Sequence, residues 1–372
     1  MHSKPHYVGG GHEYQLIGYC EIDKYAANAY SQIHGVSENY NLVDVTKVNT
    51  VLMDDVDLIT YGFPCQDISA AGKQRGFEDK DGNRTRSGLF FEALRIIEET
   101  RPLYAIAENV KALTSKKFEK EFKTVLDSLD GAGYNNYWAV LNAKDYGIPQ
   151  NRERVFIVSI RKDIDNGGFK FPEKMPLNIR VKDILENSVD EKYYINTEKA
   201  RQLIKKLLDK NRITGVEVCD AKEPIKILQV GNMVNTGNFE NPQRGRIYSP
   251  DGLAPALNTC GGGGLEPKFI QPVVIGSTQQ HAAVKNDGVC PYLTACMGTG
   301  GGQIPMITDT QIDCCGYRIR KLTPLECFRL MGFSDEEFNR IKGVSNTQLY
   351  KMAGNSIVVN VLEGIFNNLL RC

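Results

Sequence analysis

The sequence predicts an α/β protein, with a mostly parallel sheet covered by helices on both faces and a second, smaller, irregular β-rich domain. Three observations predict it. In the first half, short apolar runs rich in β-branched and aromatic residues alternate with amphipathic segments at helical spacing. Beyond residue 161 the chain turns to Gly, Asn, Pro and Thr with only short strand signals. Helical pattern returns near the C-terminus, and 372 residues suit one large domain plus a smaller one.

The elements follow in order. Residues 14–21 (YQLIGYCE) read as a strand, and residues 24–34 as a helix closed by Gly35. Residues 56–63 (VDLITYGF) read as a buried strand. Ser87 is placed to cap a helix over 88–100, with Phe91, Leu94 and Ile97 on one face and Pro102 ending it. A buried strand is expected at 103–107, a helix at 118–129, and strands at 137–142 and 154–160. This alternation places the mostly parallel sheet, with helices on both faces, within residues 1–163. Residues 164–315 form the second domain, with one helix inside 197–210. Within it the stretch 250–264 resembles 286–300: a DG turn, a Pro-containing strand, then a glycine run. Two hairpin-like units or chance similarity between glycine loops both account for it. Residues 316–372 return to the first domain through a helix at 323–331, with Thr323 as N-cap and Pro324 in the first position, and a last helix over 358–370 after a turn at Gly354, Asn355 and Ser356.

Composition excludes several classes. Lys plus Arg and Asp plus Glu each total 45, so any nucleic-acid surface must come from local clustering. None of the ten cysteines forms a CxxC pair, so no metal site is expected. The first residues carry no apolar signal core and no run reaches membrane-spanning length, so no membrane partner and a reducing, cytoplasmic location are expected.

Four features carry possible chemistry. Cys65, in GFPCQDIS after a buried strand, sits where open sheets form active sites, and Pro64 stiffens its turn. A thiolate there would be a strong nucleophile, although a lone cysteine is more often a small core residue. Glu108 follows the next strand at the same sheet edge; it would serve a shared ligand, or equally a cap or salt bridge. Arg152 and Arg154, alternating with Glu153, point to one side and suit an anion or a pyrimidine carbonyl, or merely end an exposed strand. Residues 73–86 form a polar segment that reads as a basic loop closing over DNA or as a plain solvated loop.

FPCQDIS, AENV, YGIPQNRERVFIVSIR, RKLTPLECFRLMGF and AGNSIVVNVLEGI together resemble, in order, the motifs of the DNA cytosine-5 methyltransferase family, of the bacterial or phage restriction-modification type. The resemblance runs from about Gly18 to the C-terminus. It implies the Rossmann-like fold of S-adenosylmethionine-dependent methyltransferases, with residues 164–315 as the target recognition domain. By the same resemblance Cys65 attacks carbon 6 of a flipped-out cytosine, Glu108 bonds ring nitrogen 3 and the exocyclic amine, and Arg152 and Arg154 help hold the base. S-adenosylmethionine is the implied cofactor. Glu21 matches the ribose-binding acid, with Ile22 beside the adenine. Asp44, with Val45 next to it, matches the residue that bonds the adenine amine. Pro64 lines the pocket floor, and Asn355 and Ser356 match the segment that completes the pocket.

Double-stranded DNA is the implied partner, a cognate restriction endonuclease a candidate one, and a monomer the expected state. The family opens with a strand and a Phe-x-Gly-x-Gly loop ahead of the Glu21 position. Here twenty residues precede Glu21, holding Gly9, Gly10 and Gly11 without an apolar strand before them. The expectation is therefore an N-terminally truncated or mis-started member with weak or no activity, with a DNA-binding member lacking catalysis as the alternative. A transfer-RNA methyltransferase is disfavoured by the long recognition segment. An unrelated cysteine hydrolase would need a histidine partner, and His34, the nearest, lies in an amphipathic helix.

Overall fold

The computed structural model describes residues 6–9, 12–64, 77, 86–209, 225–234, 241–258, 265–272 and 317–369. The chain divides into two compact units, Met1–Ile179 with Phe328–Cys372, and Arg180–Cys327. The divisions fall later than the expected 163/164 and 315/316. Residues 169–175 stay with the first unit because Phe169 packs on Tyr137, and Pro172 and Lys170 accept hydrogen bonds from Tyr146 and Asn368.

In the first unit, β1 (His6–Gly9) and β2 (His12–Gln15) pair antiparallel. The strand expected over 14–21 does not continue. Beyond β2 only Tyr19 pairs, in a parallel bridge to Asn41. The reason is local: the Asn41 side chain takes the next backbone groups, accepting from Glu21 N at 2.9 Å and donating to Glu21 O at 2.9 Å. A side chain thus replaces the ladder. Helix α1 (Lys24–His34) starts on Asp23, which accepts from the Tyr25 and Ala26 amides, and ends at Gly35 with φ 63°. That left-handed conformation is why glycine stands there.

The main sheet contains β3 (Leu58–Gly62), β4 (Tyr104–Val110), β5 (Tyr134–Asn142) and β7 (Glu153–Arg161), in the order β3-β4-β7-β5; the short β6 (Gln150–Asn151) precedes β7. Among these strands the pairing is mixed rather than mostly parallel. Only β3 and β4 run parallel, while β7 is antiparallel to both neighbours. The connection from β5 to β7 holds a single 3-10 turn and no crossover helix, so the chain reverses direction. Helices α2 (Phe90–Thr100) and α3 (Glu119–Gly131) bury Phe90, Ile97, Val125 and Leu129 with Ala105, Val155 and Ile157 of the sheet. Helix α2 begins at Phe90, after a 3-10 turn that contains Ser87, and its N-cap residue Leu89 makes no side-chain cap.

After the division at 327, α6 (Asp335–Arg340) opens with a Ser334–Glu337 capping box that the sequence reading missed. Gly354 and Asn355, expected in a turn, instead form the last residues of α7 (Asn346–Asn355), and α8 (Val359–Leu369) follows.

The second unit holds α4 (Glu198–Asp209), β8 (Gln229–Asn232), β9 (Arg246–Tyr248), β10 (Ala254–Pro255), β11 (Lys268–Pro272) and β12 (Tyr317–Lys321). Four of these strands form one sheet, ordered β12-β11-β9-β8. Ala200, Ile204 and Leu207 of α4 pack on its Ile247, Ile270 and Ile319. Arg320, fully buried, grips Glu326 at the start of α5 (Pro324–Arg329) with two bonds of 2.6 and 2.7 Å. Glu326 also accepts from Thr323 N, closing the cap that Thr323 was expected to form. The second copy of the sequence repeat, residues 286–300, lies outside the described residues.

Candidate active site

Glu108 lies inside β4 rather than after it, since the strand runs on to Val110. The parallel register sets it beside Gly62, the last residue of β3. A Cβ at position 62 would stand 3.5 Å from the Glu108 carbonyl and 3.9 Å from its Oε2, in ordinary van der Waals contact with both. Next to Glu108, the buried Asn109 donates from Nδ2 to the Phe63 carbonyl at 3.0 Å. Phe63 in turn packs its ring against Phe77 and Phe90. The turn Gly62-Phe63-Pro64 is therefore held from both sides, and Pro64 is half-buried at its end. Cys65 lies outside the described residues, as does the polar loop of 73–86 apart from Phe77 and Arg86.

Arg154 reaches Glu108 across the antiparallel pair of β4 and β7. Register puts Phe156 opposite Glu108 and Arg154 opposite Val110, so the two charged residues are diagonal neighbours on one face. Arg154 Nε stands 3.0 Å from Glu108 Oε1. The side chains are only 20% and 15% exposed. Burial pushes the Glu108 carboxyl above the usual carboxylate range, while Arg154 and then Arg152 pull it back in part. Such a carboxyl keeps its proton to higher pH than an exposed one and is able to donate it. Glu153 points elsewhere, to Lys111 at 2.9 Å.

Arg152 departs from the expectation that it shares a face with Arg154. It falls between β6 and β7, where strand alternation does not reach. Its amide is held by Asn142 Oδ1 at 3.1 Å, and its Nη2 donates to the carbonyls of Gly354 at 2.9 Å and Ser356 at 3.0 Å. Two residues earlier the buried Gln150 donates from Nε2 to the Leu330 carbonyl at 2.6 Å. Sequence reasoning missed Asn109, Asn142 and Gln150. Asn109, next to Glu108, carried the one local signal; Asn142 and Gln150 have no charged neighbour in the chain to mark them.

A second cluster forms where Tyr19 and Asn41 bridge. Glu21 ends the first segment, its Oε1 accepting from Asp23 N at 2.7 Å, and Ile22 beside it is 75% exposed. Asp44 ends the second. Its Oδ1 accepts from the Thr46 amide and hydroxyl, which hold its carboxyl below the usual range. Between them Val43 takes φ 62°, a strained conformation for a β-branched residue. Arg95 of α2 supports this turn through the Val45 and Val48 carbonyls, each at 3.3 Å. Two carboxylates flanking exposed Ile22, Leu42 and Val43 fit a ligand with an apolar ring and hydroxyl or amine donors, as an adenosyl group has. Asn355 is exposed at the end of α7, and Ser356 bonds back to the Met352 carbonyl. His34 packs its ring, tilted by 46°, against Tyr30 in the last turn of α1.

Residues 8–371 match the family model of the C-5 cytosine-specific DNA methylases. The orphan methyltransferase M.SPBetaI of Bacillus phage SPbeta is 34% identical over 97% of this chain and 93% of its own. The type II methyltransferase M.HhaI of Haemophilus parahaemolyticus is 32% identical over 94% of this chain and 85% of its own. Among solved structures, the Dnmt2 methyltransferase of S. pombe shares the fold with a TM-score of 0.56, at 19% identity, over 96% of this chain and 91% of its own.

Proposed function

The chain belongs to the C-5 cytosine-specific DNA methylase family and is a DNA cytosine-5 methyltransferase, and from that premise we propose which of its residues carry the reaction. The observation that carries the assignment is Glu108: a carboxyl with a raised pKa, 3.0 Å from Arg154, beside the Gly62 turn that leads to Cys65.

In this reading Cys65, as the thiolate, forms a bond to carbon 6 of a cytosine turned out of the duplex. Electrons of the 5,6 double bond move toward ring nitrogen 3, where Glu108 delivers its proton. Arg154 donates to the carbonyl at position 2 and keeps Glu108 oriented. S-adenosylmethionine, the cofactor of this family, supplies when bound the electrophilic methyl group that carbon 5 takes up. A base then removes the proton at carbon 5, the bond to Cys65 breaks, the ring double bond re-forms, and Glu108 recovers its proton. Glu21, Ile22, Asp44, Val45 and Pro64 would hold the cofactor, with Asn355 and Ser356 completing the pocket.

The second unit, Arg180–Cys327, reads sequence in the major groove of double-stranded DNA, and the chain acts as a monomer. A cognate restriction endonuclease is the partner to look for. No helix among the described residues is long and apolar enough to cross a membrane. No feature of them favours a DNA-binding role without catalysis.

The test is covalent trapping. Duplex DNA of mixed sequence carrying 5-fluorocytosine, with S-adenosylmethionine, should give a denaturation-stable adduct with the natural chain and none with Cys65→Ser. An undiminished adduct with Cys65→Ser would remove Cys65 from its role.

A further inference from the structure

Helix α7 touches both halves of the candidate site through charged side chains. Near its end, Lys351 Nζ lies 2.5 Å from Asp23 Oδ2. Asp23 is the N-cap of α1, and its own amide donates to Glu21 Oε1 at 2.7 Å. One turn further on, the carbonyls of Gly354 and Ser356 accept from the buried Arg152. Arg152 in turn stands two residues before Arg154, whose Nε lies 3.0 Å from Glu108 Oε1. A path therefore runs from Glu21 through Asp23, Lys351, the end of α7 and Arg152 to the Arg154–Glu108 pair. The Lys351–Asp23 end of the path is a partly exposed ion pair, whereas at the other end Arg152 is 3% exposed and its acceptors are main-chain atoms.

We propose that Arg152 and Lys351 are positioning residues that make α7 a strut between the cofactor cluster and the cytosine-binding carboxyl, so that occupancy of one favours occupancy of the other. The proposal rests on the catalytic reading above. It gives Arg152 a different task from Arg154: Arg154 faces the base, and Arg152 sets where the 354–356 segment lies.

The geometry favours coupling over mere packing. Gly354 is buried and the two accepting carbonyls flank Asn355, which is exposed. A guanidinium bonded on either side of one exposed residue fixes the direction in which that residue is presented. On the other side, a shift of Lys351 moves Asp23, and with it the amide that orients the Glu21 carboxylate. A rigid helix transmits displacement between its last turn and its flank without needing a new contact at either end.

The test measures linkage. The dissociation constant for duplex DNA is read with and without saturating S-adenosylhomocysteine, by fluorescence anisotropy, for the natural chain and for Lys351→Met, Arg152→Met and Arg152→Lys. Coupling between two sites is reciprocal and commonly amounts to about 5- to 150-fold. The natural chain should bind DNA at least about fivefold more tightly with the ligand present. Lys351→Met and Arg152→Met should reduce that ratio toward one, and Arg152→Lys should restore part of it. DNA affinity without ligand should change little in Lys351→Met.

A ratio unchanged in Lys351→Met, or absent in the natural chain, overturns the proposal. If Arg152→Met does not fold, Lys351→Met decides alone, because Lys351 is 44% exposed and its loss leaves no buried charge. Adduct formation with 5-fluorocytosine DNA is measured on the same preparations. Its absence in the natural chain would sink the catalytic reading, whereas a normal adduct with unaltered linkage would sink only the strut.

Discussion

Arg154 Nε lies 3.0 Å from Glu108 Oε1 across the β4–β7 pair, in a region where both side chains are largely withdrawn from water. The two effects on Glu108 oppose each other. Burial disfavours the carboxylate, the guanidinium favours it, and burial wins. The result is an acid held ready beside a cation, which is what protonating a ring nitrogen while binding the adjacent carbonyl requires.

The first prediction concerns pH. A carboxyl with a raised folded pKa stays protonated through the ordinary carboxylate range and loses its proton as pH rises through the raised value. Turnover that depends on that proton should fall on the alkaline side. Glu108→Gln should lower kcat by about 10²- to 10⁴-fold and abolish that limb. The same sign applies to stability: the favourable contribution of protonated Glu108 is complete below the ordinary carboxylate pKa and is lost as pH rises through the raised one. A pH–rate profile of both proteins checks it.

Arg154→Met removes the stronger of the two charges that pull Glu108 down. Its alkaline limb should move to higher pH, while the rate of adduct formation with 5-fluorocytosine DNA falls. A limb that stays in place would show that the ion pair does not govern the titration.

Asn109→Leu leaves the buried Phe63 carbonyl without its donor. The cost should be about 1–3 kcal/mol in urea unfolding. Because that carbonyl belongs to the turn before Cys65, the trapping rate should drop as well, with cofactor affinity retained.

Glu21→Ala should weaken binding of S-adenosylhomocysteine by about 10- to 100-fold, the worth of a hydrogen bond to a charged group. DNA affinity measured without that ligand should be unaffected. Calorimetry and anisotropy on one preparation separate the two.

In the second unit, Glu326→Ala strands the guanidinium of Arg320, which is 1% exposed. Breaking such a pair from one side should cost about 3–5 kcal/mol. The double change Arg320→Met with Glu326→Leu should be markedly less harmful. Thermal unfolding of the three proteins gives the comparison.

Much of this architecture was legible from local patterns. Asp23 and Gly35 bracket α1 because a carboxylate caps amides and glycine accepts a left-handed turn, and neither depends on distant residues. The strands β3, β4 and β7 were readable as apolar runs, although β3, expected buried, is only partly so. Errors arose where a side chain substituted for backbone. Asn41 ends the strand after Tyr19, and Arg152 turns from the sheet to two carbonyls in the C-terminal part of the chain.

The sequence by itself determined most of the helices through their periodicity, the α/β class, the family, and the identity of Cys65 and Glu108 as the residues to watch; α6 and α7 it did not show. The tertiary structure decided which strands run antiparallel, that Glu108 and Arg154 are diagonal neighbours, and that Arg152 serves the 354–356 segment. The physical reason is range. Caps and amphipathic periods involve residues a few positions apart, which the chain order displays directly. Register, strand direction and the partner of a buried guanidinium are set by groups tens to hundreds of residues away, and only folding brings them within hydrogen-bond distance.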